Sequence, residues 1–244
     1  RQNHFELQYL NPVILYRSVE HLIGSPDNAM IGLDFKWNFL QRIQLYGQLI
    51  LDEFKFNELI IDRNGWWGNK YGYQAGLKYI DLFGIDHLDL QLEYNAVRPY
   101  TYTHGDSLAN YTHYNQPLAH PIGANFKEAI AKMRYQVNPK LHFETRLLNI
   151  TYGIDNDSTN WGTNIILNNN HRERDYNNTI AQGIHTNTLI FGFDISYQFY
   201  HNMYLDLNYF FRKQDSQDNS FDLQNNYFGG GIRINLNKWR KGDF

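Results

Sequence analysis

The chain has 244 residues, of which 42% are hydrophobic and 16% aromatic, and its formal charge is -3. No run approaches the roughly 18 consecutive apolar residues that a membrane helix needs, so only strands could carry this chain across a bilayer. The mild negative charge gives no basic field for nucleic acid, and the absence of cysteine excludes disulfides and thiolate metal sites.

The chain starts at Arg1 with no basic-then-apolar leader, which we read as a sequence that begins partway along its protein. A first, weakly patterned strand is expected over residues 5–10. Residues 30–39 carry the clearest strand pattern. Ile31, Leu33, Phe35, Trp37 and Phe39 alternate with Gly32, Asp34, Lys36 and Asn38, giving one apolar and one polar face. The period recurs in residues 43–52, with Ile43, Leu45, Leu49 and Leu51 against Gln44, Tyr46, Gln48 and Asp52. Residues 71–79 are a weaker strand, and residues 88–94 set Leu88, Leu90, Leu92 and Tyr94 against Asp89, Gln91 and Glu93. Residues 126–135 and 141–152 follow, the latter with its alternation broken at Leu147-Leu148, where either a β-bulge or the exit of the strand from the membrane is expected. Two strict segments come next, from Leu189 through Phe191, Phe193, Ile195, Tyr197 and Phe199, and from Met203 through Leu205, Leu207, Tyr209 and Phe211. A last strand is expected over residues 227–236, running inward to Trp239 and Phe244, which brings the count to about ten.

The connections alternate in length. Short turns are expected at residues 40–42, 81–87, 136–139 and 201–202, and long polar connections at 11–29, 53–70, 95–125, 153–185 and 213–226. Tight turns at one end and long loops at the other are the pattern of an antiparallel transmembrane β-barrel. A soluble sandwich does not require this alternation, and its strands run nearer five or six residues. The expectation is therefore an all-β, single barrel region over residues 1–244, with Ile31, Leu33, Phe35, Trp37, Leu90, Leu92, Phe193, Ile195, Leu205 and Leu207 facing lipid.

The inward faces carry charges of both signs. Glu93, Glu128, Lys132, Arg134, Glu144 and Arg146 are expected to form a cross-strand network filling the lumen, flanked by Asp34, Lys36, Gln91, His142 and Arg212. The outer loops supply aromatic groups suited to stacking on sugar faces: Trp66, Trp67, Tyr100, Tyr102, Tyr111, Tyr114 and Trp161, with His120 beside them. The plainer role for Trp66, Trp67 and some of the tyrosines is an aromatic girdle at the lipid headgroups. His104, His113 and His120 match no metal-ligand spacing, and the Asp155 to Asn160 stretch lacks the Gly and Glu of a calcium loop, so no metal or cofactor is expected. No nucleophile lies beside a base, so no enzyme is expected either.

The run from Tyr111 through His113, Tyr114, Gln116, Pro117, His120, Pro121 and Gly123 to Asn125, with Asn11 to Ser18 and Gly24 to Asn28, resembles the Wzi-like capsule-assembly family. Its Bacteroidetes members include gliding-motility-associated barrels. The resemblance implies an outer-membrane barrel of about eighteen strands that holds capsular polysaccharide at the cell surface. The present chain would then be the C-terminal part of such a barrel, in contact with outer-membrane lipid and surface polysaccharide. The alternative it implies is a structural barrel subunit of a gliding or secretion assembly that binds other envelope proteins. The loop of residues 95–125, rich in aromatic and apolar groups, is expected to fold against or into the barrel.

Overall fold

The computed structural model describes residues 30–106, 109–156 and 158–235. The expected strand at residues 5–10, the Asn11–Ser18 and Gly24–Asn28 stretches, and Trp239 and Phe244 lie outside the described residues.

Nine long strands form one antiparallel sheet in strict sequence order: β1 (Ile31–Phe39), β2 (Ile43–Glu53), β3 (Lys70–Tyr79), β4 (Leu88–Val97), β7 (Phe126–Asn138), β8 (Leu141–Ile154), β9 (Ile184–Tyr200), β10 (Met203–Ser216) and β11 (Leu223–Ile234). A small hairpin, β5 (Thr112–His113) and β6 (Gln116–Pro117), stands apart from it. All short turns lie at one end, over residues 40–42, 80–87, 139–140 and 201–202. The loops at the other end, over residues 54–69, 98–125, 155–183 and 217–222, include the long ones. Within the described residues, β1 and β11 are edge strands that do not pair with each other.

The register sorts the side chains into two faces. One row runs Trp37, Leu45, Leu77, Leu92, Ala131, Leu147, Phe191 and Phe211 across eight strands. This face keeps its large apolar groups uncovered, with Leu33 67% and Leu207 49% exposed, as a surface facing hydrocarbon would. The opposite face carries Asp34, Gln48, Gln74, Asn95 and Glu128 in one row and Asp89, Arg134, Glu144 and Asp194 in another. The period-two reading of the strands thus translates into one apolar and one polar wall.

Two expectations are corrected. No bulge lies at Leu147-Leu148: Leu147 pairs with Ala131 and Phe191 while Leu148 pairs with Ile130 and Ile190, in unbroken register. The alternation breaks because Ile130, Leu148 and Ile190 place an apolar row on the otherwise polar face. The register shifts fall instead at Leu51/Glu53, Gln136/Asn138 and Met203/Tyr204, close to strand ends. The strands also run further than the pattern suggested. β9 starts at Ile184 and β10 ends at Ser216, because Thr186, Thr188 and Gln214 continue the ladder with polar side chains buried under the loops.

Tyr46 shows how the polar wall is built. Its ring crosses β3 over Gly76, where a Cβ would meet Tyr46 ring atoms at 2.1 Å, and its hydroxyl donates to Glu93 Oε2 on β4 at 2.6 Å. Glycine is needed at that point for the ring to span a neighbouring strand.

Candidate functional site

The long loops do not hang free. Residues 98–125 turn inward so that Tyr102 and Ala124 pack with Val97 and Phe126 of the polar-face strands and with Ile165 of the next loop, a small apolar core partly covered by Met30, Ile50, Tyr111, Ala119, Ile122 and Tyr152. The expected folding of this loop against the sheet is what the structure shows. Pro117 and Pro121 sit on either side of the segment that carries Leu118 and Ala119.

Most of the remaining packing in this cap is polar. Asn125 is fully buried; its amide donates to Thr163 Oγ1 and Gln182 O and accepts from the backbone N–H of Ala181 and of Gln182. Asn110 accepts the His104 N–H at 2.6 Å and donates to Ile165 O at 2.9 Å. Asn178 donates to Gly65 O and Arg174 O and accepts from Gln182 Nε2. Gly65, at φ +65°, lies so close to Asn178 that a Cβ there would meet its backbone nitrogen at 2.8 Å. Asp155 accepts three backbone N–H groups, from Trp161, Thr163 and Asn164. Burial nevertheless holds its carboxyl above the usual Asp value, against those three bonds.

The anticipated sugar-stacking residues divide into four groups. Tyr100 and Tyr102 are buried, 0% and 4% exposed, with hydroxyls pushed up to about 12 by desolvation. Tyr100 donates to Asn160 O at 2.8 Å, and both rings serve the interior of the cap. Trp66, Trp67 and Trp161 are half-exposed and each has a cation over its ring: Lys55 at 4.3 Å, Arg172 at 4.2 Å and Arg174 at 5.2 Å, respectively. Trp66 and Trp67 lie 5.9 Å apart, and Trp67 also meets the edge of Tyr100 at 6.3 Å. Tyr114 stands at the tip of the β5–β6 hairpin, 88% exposed and edge-on to His113. Tyr111, Leu118, Ala119 and His120 belong to a different place, a cavity of about 460 Å³ floored by Gln48, Gln74 and Asn95 of the sheet. The candidates therefore form separate patches on one cap.

His120 joins the cap to the sheet. Its ring lies 4.4 Å from that of Phe126, and Nε2 is 3.0 Å from Glu128 Oε2. Asn95 donates to Glu128 and to Glu93, and Glu93 also accepts from Tyr46, Gln74 and Gln91. A second set lies nearer the short turns, where Glu144 meets Lys132 at 2.9 Å, Arg134 at 3.0 Å and Arg146 at 3.5 Å, and Arg146 continues to Asp194 at 2.9 Å. The six anticipated lumen charges thus belong to two networks. Sequence reading left Asn95, Asp194 and the Asp206–Arg233 pair at 2.7 Å out of the inward charge network, although their parity was available. It also missed Lys70, 1% exposed, which pairs with Glu53 at 2.9 Å and donates to Thr103 O. Among the described residues no group of three or more His, Asp or Glu side chains could hold a metal.

A family model described as "Capsule assembly protein Wzi" matches residues 22–228. No curated protein matches the chain. A solved structure of Wzi from Escherichia coli, described as an outer-membrane, carbohydrate-binding β-barrel involved in group 1 capsule assembly, is similar at 13% identity, with a TM-score of 0.39. The similarity covers 84% of this chain and 51% of that one, so the chain spans about half the length of that protein.

Proposed function

Because the chain belongs to the Wzi capsule-assembly family, we propose that it forms part of an outer-membrane β-barrel that binds surface or capsular polysaccharide through the cap of long loops, without catalysis. The apolar outer wall supports the membrane placement, since it exposes Leu33, Trp37, Leu92 and Leu207 in a sheet whose other wall is charged. The observation that carries the binding reading is the aromatic surface of the cap. Trp66, Trp67, Tyr111, Tyr114 and Trp161 are all at least partly exposed, and all lie at the long-loop end among asparagine and threonine side chains. Aromatic faces take the C–H faces of sugar rings, and amides take their hydroxyls.

The test is the double variant Tyr111→Ala/Tyr114→Ala in cells that carry the polysaccharide. Retention should weaken by about 1 kcal/mol or more, because the lost interaction is stacking, while heat-modifiable migration on gels still reports an inserted barrel. Normal retention in the double variant would remove the polysaccharide role from this loop and favour a protein-binding cap.

A further inference from the structure

On β7 to β10 the outward positions change character toward the long loops. Up to the row through Leu147, Phe191 and Phe211 they are mostly apolar, with Phe143, Phe193, Ile195, Leu205 and Leu207 among them and Thr145 as a polar exception. The next row toward the long loops holds Ala129, Asn149, Leu189 and Lys213, and the one after it Lys127, Thr151, Asn187 and Asp215. A strand tilted through a membrane needs about nine to eleven residues. Counted from the short turns, eleven residues run from Val137 to Lys127 in β7 and from Met203 to Lys213 in β10. Both lysines therefore stand where the hydrocarbon ends. Tyr73 and Tyr94, 6.2 Å apart on the outward side of β3 and β4, flank the band as interfacial aromatics do.

Above this band the cap leans over the wall. Gly153, which pairs with His185 one row further on, leaves no room for a Cβ beside Gln182 O, so residues 181–183 lie against the outer side of β8. The polar band is thus a ledge between an apolar wall and an overhang. Its two cations differ. Lys213 is held by Asp215 at 2.8 Å, whereas Lys127 is exposed and has no ion pair or side-chain hydrogen bond among the described residues. Next to Lys127, Thr151 Oγ1 donates to Asn187 Oδ1 at 3.2 Å and fixes that amide on the ledge.

We propose that this ledge seats the phosphorylated headgroup of an outer-leaflet glycolipid, with a phosphate on Lys127 and the acyl chains against the apolar wall below. This rests on the membrane placement of that wall and not on the polysaccharide reading of the cap. A lysine at the edge of the hydrocarbon extends its ammonium into the headgroup layer, and that layer supplies phosphate at the same depth. The ledge continues directly from the lipid-facing wall, so one lipid meets both surfaces. A free phosphate ion would meet only an exposed, screened charge. A lipid adds the burial of its chains on Leu147, Phe191 and their neighbours, which a free ion cannot. Asp215 already neutralises Lys213, which leaves the main attraction on Lys127.

The experiment is native mass spectrometry of the full-length protein in detergent, titrated with diphosphoryl lipid A, with its fully dephosphorylated counterpart and with inorganic phosphate. The phosphorylated lipid should bind at least five-fold more tightly than the dephosphorylated one. Lys127→Gln should remove most of that preference and Lys127→Arg should keep it. Lys36→Gln, which deletes the same charge from the opposite wall, should leave it unchanged. Asp215→Asn, by releasing Lys213, should raise it. Equal binding of the two lipids by the parent protein would overturn the proposal. So would inorganic phosphate binding as tightly as the phosphorylated lipid. An unchanged preference in Lys127→Gln, or in Asp215→Asn if the first variant does not insert, would overturn it as well. Polysaccharide retention through Tyr111 and Tyr114 is measured separately, so failure of either reading leaves the other standing.

Discussion

An asparagine side chain carries the donor and acceptor of a peptide group, and in this cap it is used in place of regular secondary structure. Asn69, Asn110, Asn125, Asn160, Asn169 and Asn178 are all buried in or beside the loops. Each satisfies backbone groups that irregular chain leaves open. Asn125 is the most heavily used, with four hydrogen bonds that join β7 to the loop before β9. It also sits at φ +60°, which asparagine tolerates and glycine accepts freely. Asn125→Gly therefore keeps the backbone and deletes only the amide. Two donors and two acceptors lose their partner, and the expected cost is about 3 kcal/mol. The measurement is urea unfolding in detergent together with protease cleavage in residues 155–183. A variant whose cap stays as resistant as the parent would show that the amide does not hold the loops. At Gly76 the consequence is milder. Gly76→Ala should swing the Tyr46 ring off β3 and break its 2.6 Å bond to Glu93, at about 1 kcal/mol, visible as a change in tyrosine environment in the folded protein.

At the scale of strands, the two faces make opposite demands on neighbouring residues, and β10 gives a clean comparison. Leu207 lies on the apolar wall, paired with Ile195 and Gly230, and Asn208 on the polar wall, paired with Asp194 and Gly229. Leu207→Arg should cost about 2 to 4 kcal/mol near mid-membrane, whereas Asn208→Arg, beside Asp194, should change folding by less than about 1 kcal/mol. Urea titration of folding into lipid vesicles measures both, and equal costs would contradict the assignment of the walls. These strands were legible because polar and apolar residues alternate along all of β1 and over most of β2, β4, β9 and β10, with single lapses such as Ile50, Ile190 and Phe210. β8 misled because apolar residues occupy both walls around Leu147 and Leu148, so parity carried no information there. The cap was legible only in outline. Its loops were expected to be ordered from their aromatic content, but Tyr100 and Tyr102 proved to be interior groups, since aromatic character alone does not separate a packing ring from a binding one. The asparagine core left no period to read, because its partners are backbone groups set by three-dimensional approach.

For the molecule as a whole, the nine-strand sheet sets a constraint and a consequence. Among the described residues β1 and β11 are the edges of the sheet, and an unpaired strand edge cannot face hydrocarbon, so each calls for a hydrogen-bonding neighbour in a membrane. The polar face of this sheet carries packed groups at two levels. Toward the short turns, Lys132, Arg134, Arg146, Glu144 and Asp194 form a chain of ion pairs across β7, β8 and β9. Toward the long loops, Tyr102, Ala124 and Ile165 are packed onto Val97 and Phe126, so the cap is anchored on the inner wall. A wide aqueous pore of the porin kind needs the lumen clear at both levels. The protein reconstituted in planar bilayers should therefore show little conductance, well below that of an open porin. The ion pairs are partly exposed and individually weak, so the cap should be the main obstruction. Asn125→Gly, by loosening the cap, should raise the frequency of brief openings more than Glu144→Gln does. A large, steady conductance in the parent protein would mean that the cap does not occlude the lumen. Greater leak from Glu144→Gln than from Asn125→Gly would assign the barrier to the charge chain instead.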